Sequence, residues 1–306
     1  MSKLACLFPG QGSQFAGMGK SLAEAFPAAR AVFEEADGAL GFALSRLCWE
    51  GPEEDLKLTE NTQPAILTAS VAAWTVLREH GWRPDFVAGH SLGEYSALVA
   101  AGALRFADAV RTVRNRGRYM QEAVPAGVGA MAAILKMPEG KLDAILAEAA
   151  QGEVVSAANL NAADQIVIAG HAAAVKRAAD LCVAAGAKRA VMLPVSAPFH
   201  CALMEPAQKR LAADLATVEF RDLEFPLINN WQARAVTSGA EARQGLIEQV
   251  PNPVRWTETM SMLVREGVTR ALEVGPGAVL CGLLRGVPEI KGARLGEAAD
   301  LEKLQP

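Results

Sequence analysis

Apolar positions fall into two kinds of pattern along this chain. The run 4–8 is short, apolar and unbroken, which predicts a buried first strand, and 86–89 predicts a second. Residues 63–80 instead carry apolar positions at helical spacing, with Pro64 near the start and Gly81 just past the end, as helix termini favour. An Ala- and Leu-rich helix is expected after Ser91, and another over 106–124, ended by Pro125. Runs 225–230 and 269–274 predict later strands, the second followed by Gly275-Pro276-Gly277. Short buried strands alternating with helices predict an α/β fold with a mostly parallel sheet.

The middle of the chain changes pattern. Residues 129–136 alternate like a strand, and 138–150 read as a helix. Runs 153–161 and 165–171 are two strands across a short polar turn, 172–185 is helical, and 188–195 is a last strand. This β-α-β-β-α-β order is the ferredoxin-like one. It predicts an inserted subdomain at 127–196 between the segments 1–126 and 197–306 of a large domain, with the main domain resuming near Ser196.

Composition narrows the function classes. The chain has 306 residues, 51% hydrophobic and 21% charged, enough for a large core and unlike a disordered protein. A net charge of -4, from 30 basic and 34 acidic residues, argues against a nucleic-acid binder. An acidic ligand would then be met by one or two placed cations instead of a general field. The five cysteines are scattered, with no C-x-x-C pair, so neither a disulfide framework nor a metal site is expected. The first apolar run is too short for a signal peptide, and no stretch reaches membrane-spanning length. A soluble cytoplasmic protein without membrane partners is the expectation.

Chemistry concentrates at Gly89-His90-Ser91-Leu92-Gly93. G-x-S-x-G between a strand and a helix is the nucleophile-elbow pattern, whose flanking residues must be small because the turn is sharp. Ser91 is the expected nucleophile. Leu92 stands at the first turn of the following helix, where an unpaired N–H can donate to an oxyanion. The loop Pro9-Gly10-Gln11-Gly12-Ser13-Gln14 follows the first strand, and its glycines allow close backbone approach to a ligand. It matches neither phosphate-loop template, since Gln14 stands where a Walker A motif needs its first glycine and Phe15 where G-x-G-x-x-G needs its last. The N–H of Gln11 is the better candidate for a second oxyanion donor.

Four histidines could serve as base. His80 falls at a helix end and His171 at the end of a strand beside Gly170, both structural positions. His90 adjoins Ser91, so its side chain should diverge from the serine, which leaves it a supporting place at the substrate site. His200 lies in the proline-bounded loop Pro194-Val195-Ser196-Ala197-Pro198-Phe199-His200 and follows the serine in chain order, as in α/β-hydrolases. It is the expected base. No acidic residue occupies an obvious loop beside it, and a backbone carbonyl could orient the imidazole instead. In the helix 106–124, Arg116 shares a face with Val113 and Met120, whereas Arg111, Arg114 and Arg118 turn toward solvent. A guanidinium on an apolar stripe needs a partner: a protein carboxylate or the carboxylate of a substrate.

The ordered set of segments resembles the bacterial malonyl-CoA:acyl carrier protein transacylase family. The resemblance runs through Phe8-Pro9-Gly10-Gln11-Gly12-Ser13-Gln14, Gly89-His90-Ser91-Leu92-Gly93-Glu94-Tyr95 and Arg116-Gly117-Arg118-Tyr119-Met120-Gln121. It continues in Val195-Ser196-Ala197-Pro198-Phe199-His200-Cys201, Gln249-Val250-Pro251-Asn252-Pro253-Val254-Arg255-Trp256 and Glu273-Val274-Gly275-Pro276-Gly277. The resemblance implies an α/β-hydrolase-like large domain with a ferredoxin-like insert. It implies that Ser91 takes malonyl from malonyl-CoA and passes it to the phosphopantetheine thiol of holo acyl carrier protein. In that reading His200 is the base, the carbonyl of Gln249 orients it, and Gln11 and Leu92 form the oxyanion hole. Arg116 pairs with the malonyl carboxylate, while Asn159 and Asn161 face the cleft. No resident cofactor is implied, and the protein is expected to act as a monomer. The alternatives are a polyketide-pathway acyltransferase with the same chemistry, a serine thioesterase or esterase, and a non-catalytic scaffold on the same fold.

Overall fold

The fold is that of a computed structural model, which describes residues 2–195 and 197–304. In chain order the strands are β1 (Lys3–Phe8), β2 (Phe86–Gly89), β3 (Gly129–Leu135), β4 (Val155–Ala162) and β5 (Gln165–His171). They continue with β6 (Arg189–Met192), β7 (Leu227–Ile228), β8 (Ala235–Val236), β9 (Val268–Val274) and β10 (Lys291–Leu295). Six of them form one sheet in the order β10-β9-β1-β2-β7-β8, parallel throughout except for the β7–β8 pair. The other four form an antiparallel sheet in the order β4-β5-β3-β6. The architecture is mixed α/β with a parallel-rich main sheet.

β1 lies at the centre of the main sheet and shows why its run had to be continuously apolar. Cys6 and Phe8 point into one core, shared with the long helix Thr59–Glu79 and the helix Phe106–Glu122. Ala5 and Leu7 point into a second core on the other face, built with Trp256, Met260 and Leu263 of the helix Trp256–Arg265. A strand buried on both faces has no polar side to show. The small sheet is instead covered on one face only. There Ala132, Ile134 and Ile168 pack under the helices Leu142–Ala150 and Ala172–Ala184. Met131, Ala133 and Val167 face the other way, toward the main domain.

Several element ends differ from the sequence expectation, each for a local reason. The long helix begins at Thr59, so Pro64 sits inside it and not at its first turn. Proline leaves the carbonyl four residues back without its amide donor. Here that carbonyl is Glu60 O, and Arg114 Nη1 reaches it at 3.5 Å while also donating to Asn61 Oδ1 at 2.8 Å. Arg114 is therefore half-buried and committed to the helix instead of facing solvent. The strand expected over 225–230 shrinks to Leu227–Ile228, because Asn229 turns the chain toward Arg234 and the Asn230 N–H leaves the ladder for Glu94. The helix expected from Pro138 starts at Leu142, after Gly140 takes a left-handed φ of 75°. The strand expected over 188–195 covers only Arg189–Met192, and Ser196, the expected boundary of the inserted subdomain, lies outside the described residues.

The site depends on close packing where β1, β2 and the helix Gly93–Ala100 meet. A Cβ on Gly93 would lie 2.0 Å from the carbonyl oxygen of Phe8, and one on Gly89 would lie 2.0 Å from the backbone of Gly93. Both obstacles are backbone, so neither can move aside. We expect Gly93→Ala to lower stability by about 3 kcal/mol through overpacking. Gly38→Ala, on the exposed face of the helix Pro27–Leu40 where an added Cβ meets nothing within 4 Å, should raise it by about 0.5–1 kcal/mol. Urea midpoints moving in opposite directions would bear this out, and equal midpoints would contradict it.

Candidate active site

Ser91 sits between the end of β2 and the start of the next helix, in the left-handed region with φ 50°. That conformation is strained for a side chain with a Cβ, by about 1–3 kcal/mol, and persists only where neighbours over-determine it. Here they do. Asn230 Oδ1 accepts from the Ser91 N–H at 2.7 Å, and Asn230 Nδ2 donates to Gly89 O at 2.7 Å. Gln249 Nε2 donates to Ser91 O at 3.0 Å. The turn lifts Oγ into a cavity of about 500 Å³ between the main domain and the small sheet.

Ser91 Oγ lies 2.7 Å from His200 Nε2, and His200 Nδ1 lies 2.9 Å from the carbonyl oxygen of Gln249. A carbonyl can only accept, so Nδ1 carries the proton and Nε2 turns its lone pair to the serine. His200 is 3% exposed, and burial followed by the nearby Arg116 charge lowers its pKa to about 3. The imidazole is thus neutral, ready to take a proton.

Arg116 is 1% exposed, and burial lowers its pKa as well. Its Nη1 donates to Gln63 Oε1 at 2.8 Å. Its Nη2 donates to Gln249 Oε1 at 2.9 Å and to Ser91 Oγ at 3.1 Å. None of these partners is charged, and among the described residues Nε meets no partner. Of the two readings open for Arg116, a protein carboxylate in direct contact does not occur among the described residues. The guanidinium instead borders the cavity beside the serine.

Gln11 and Leu92 also line the cavity, and among the described residues neither backbone N–H is engaged elsewhere. Two free donors beside a serine oxygen can hold an oxyanion. His90 diverges from Ser91: its Nε2 lies 2.8 Å from Asn161 Oδ1 and its ring 5.4 Å from that of Trp256. It borders the cavity together with Asn159 and Asn161, which approach from β4. An isolated bridge from Asn159 to Val254 ties that strand to the main domain. His80 accepts its helix-end position through Nδ1 and Val76 O at 2.8 Å, and His171 Nδ1 accepts from the Val154 N–H at 2.9 Å. Among the described residues no three His, Cys, Asp or Glu side chains gather as a metal site, and no helix is long and apolar enough to cross a membrane.

Three buried polar residues at this site were not singled out from sequence: Gln63, Glu94 and Asn230. Gln63 reads as the helix start before Pro64, and Asn230 as a strand end. Glu94 falls inside the elbow segment, where an acidic residue in a first helical turn is ordinarily explained by the helix dipole. It is 0% exposed.

The acyl transferase domain family matches residues 6–292. A malonyl CoA-acyl carrier protein transacylase from Bacillus subtilis (strain 168) is 53% identical over 288 residues, 94% of this chain and 91% of that protein. Among solved structures, an acyl carrier protein S-malonyltransferase from Vibrio cholerae superposes with a TM-score of 0.97 at 48% identity, covering 99% of this chain and 100% of that one. A malonyl-transacylase in complex with a type II PKS acyl-carrier protein gives a TM-score of 0.96 at 49% identity, covering 99% of this chain and 98% of that one.

The depressed His200 pKa has a direct consequence. An ordinary histidine base would lose its lone pair below about pH 6.5. Phosphonylation of Ser91 by an uncharged fluorophosphonate should instead keep its rate from about pH 8 down to about pH 5. A tenfold fall between those limits would show a histidine that titrates normally.

Proposed function

The chain belongs to the acyl transferase family and, within it, to the malonyl-CoA:acyl carrier protein transacylases, and from that premise we propose that it moves malonyl from coenzyme A to a carrier-protein thiol through an ester on Ser91. The observation that carries the reading is the surroundings of one atom. Ser91 Oγ has a neutral imidazole at 2.7 Å and a buried guanidinium at 3.1 Å, so base and carboxylate receptor meet at the nucleophile.

In the first half-reaction Ser91 Oγ attacks the thioester carbonyl while His200 Nε2 takes its proton. The carbonyl oxygen becomes an oxyanion that accepts from the N–H groups of Gln11 and Leu92. Collapse breaks the C–S bond, and the leaving sulfur takes the proton from His200. The second half-reaction runs the same steps backward, with the phosphopantetheine thiol of holo acyl carrier protein attacking the ester. Gln249 replaces the acid of a usual triad, its carbonyl holding Nδ1–H. Arg116 grips the free carboxylate of the acyl group, aided by Gln63, which keeps one guanidinium nitrogen aimed across the cavity. An acetyl group would leave that buried cation without a counter-charge. His90, Asn159 and Asn161 border the path of the thioester arm.

Residues 127–196 are read as a ferredoxin-like insert in an α/β-hydrolase-like large domain, 1–126 and 197–306. The antiparallel order β4-β5-β3-β6 with its two helices, and the serine turn after a parallel strand, support this reading. Every group used above comes from one chain, which favours action as a monomer. The steps balance with two thiols and the protein's own side chains, so no metal or resident cofactor is invoked. Malonyl-CoA and a soluble carrier as substrates favour the cytoplasm. Fatty acid synthesis is the pathway this transfer serves. A polyketide carrier is the second reading, favoured by the solved complex of a malonyl-transacylase with such a carrier.

Mixing with malonyl-CoA should give a malonyl adduct on Ser91 by intact mass, which then moves to added holo carrier protein. Continuous release of free malonate without carrier would identify a thioesterase instead. Comparing carriers from the two pathways separates the fatty acid reading from the polyketide one. Arg116→Ala should lower malonyl transfer by about 3 kcal/mol, near a hundredfold in kcat/KM, with acetyl transfer far less affected. Equal losses for both acyl groups would refute the clamp.

A further inference from the structure

Among the described residues Arg116 has no carboxylate in contact, yet a carboxylate stands one amide away. Glu94 stands in the first turn of the helix Gly93–Ala100 after the elbow and is fully buried. Its Oε2 accepts from Gln249 Nε2 at 2.9 Å and from the Asn230 N–H at 2.8 Å, while among the described residues Oε1 has no hydrogen-bond partner. The far end of the same Gln249 amide accepts from Arg116 Nη2 at 2.9 Å. Anion, amide and cation thus form one chain, and the amide's orientation is fixed by charge at both ends. The two residues that Glu94 holds, Asn230 and Gln249, are also the two that clamp Ser91.

We propose that Glu94 is a positioning residue and an internal counter-charge that sets how strongly Arg116 grips the acyl carboxylate. The inference rests on the malonyl-transfer reading. With Glu94 ionised, the guanidinium is partly neutralised through Gln249 and holds an arriving carboxylate less tightly. With Glu94 neutral, the uncompensated cation holds it more tightly and discriminates more sharply against acetyl. The bare Oε1 is the atom free to carry the proton.

The electrostatic surroundings support this division of states. Burial raises the Glu94 pKa to about 7, against the lowering effects of its Asn230 and Gln249 hydrogen bonds and of Arg116. The titratable groups that bear on Glu94 are Arg116 from the helix Phe106–Glu122 and Tyr95 from its own helix. Tyr95 is pushed upward by burial and stays neutral. Gly245, from the helix Gly239–Glu248, borders the carboxylate without charge. The sign follows: as pH rises through about 7, Glu94 ionises, the net positive charge falls, and preference for malonyl over acetyl declines.

The test measures acyl-enzyme formation by intact mass with malonyl-CoA and with acetyl-CoA from about pH 6 to about pH 8.5. For the unmodified protein the malonyl-to-acetyl ratio of kcat/KM should fall about threefold or more across that range. Glu94→Gln keeps an oxygen to accept both hydrogen bonds but carries no charge, so its ratio should stay high and flat, with a lowered malonyl KM at the alkaline end. Glu94→Ala removes the acceptor as well and should lower kcat for both acyl groups. A ratio independent of pH in the unmodified protein, or parallel profiles for it and Glu94→Gln, would overturn the proposal. The first of these decides even if the variants do not fold. Failure of malonyl-CoA to form any adduct would overturn the transfer reading itself, a separate outcome.

Discussion

The left-handed turn at Ser91 is the constraint around which the rest of the site is organised. A residue with a Cβ does not hold φ 50° unaided. Sequence supplies Gly89 and Gly93 so that strand, turn and helix can close on one another and on the end of β1. The fold then supplies Asn230 and Gln249 from distant segments, and each ties down a backbone group of the turn. Oγ is thereby fixed before any substrate arrives, with little left for binding to organise.

The same side chains carry the electrostatics. Gln249 gives its backbone carbonyl to His200, its amide oxygen to Arg116 and its amide nitrogen to Ser91 O and Glu94. One residue links nucleophile, base, cation and anion. Burial acts on all the charged members in the same sense, favouring neutral His200 and opposing ionisation of Glu94. The site is therefore poor in counter-charge for Arg116. A substrate bringing its own carboxylate relieves that deficit, and a substrate without one does not. The proposed selectivity for malonyl rests on this imbalance instead of on a shaped wall alone.

The cavity owes its shape to two sheets of different kinds. The main sheet is buried on both faces and presents the ends of β1 and β2, where Gln11 and Ser91 stand. The small sheet keeps its helices on one face and lends the other, through Met131, Ala133 and Val167, to the cavity wall. Asn159 and Asn161 on β4 approach the main domain at Val254 and His90. The small sheet is thus fastened at the substrate site itself.

What the sequence alone determined were features with a local cause. The apolar run of β1, the change of period at the insert and the two glycines around Ser91 all follow from short-range geometry. So does the divergence of His90 from its neighbour, and the odd position of Arg116 on an apolar stripe. The start of the long helix is not legible in the sequence, because the donor that repairs Pro64, Arg114, comes from another helix. The strand expected over 225–230 ends early because Asn230 leaves its ladder for a carboxylate far away in the chain. Only the family resemblance points to Gln249 and nothing in the sequence points to Glu94, since neither has a local signature. Tertiary structure decided those partners, because a buried polar group takes its meaning from what faces it across the core, and that neighbour is set by packing and not by sequence distance.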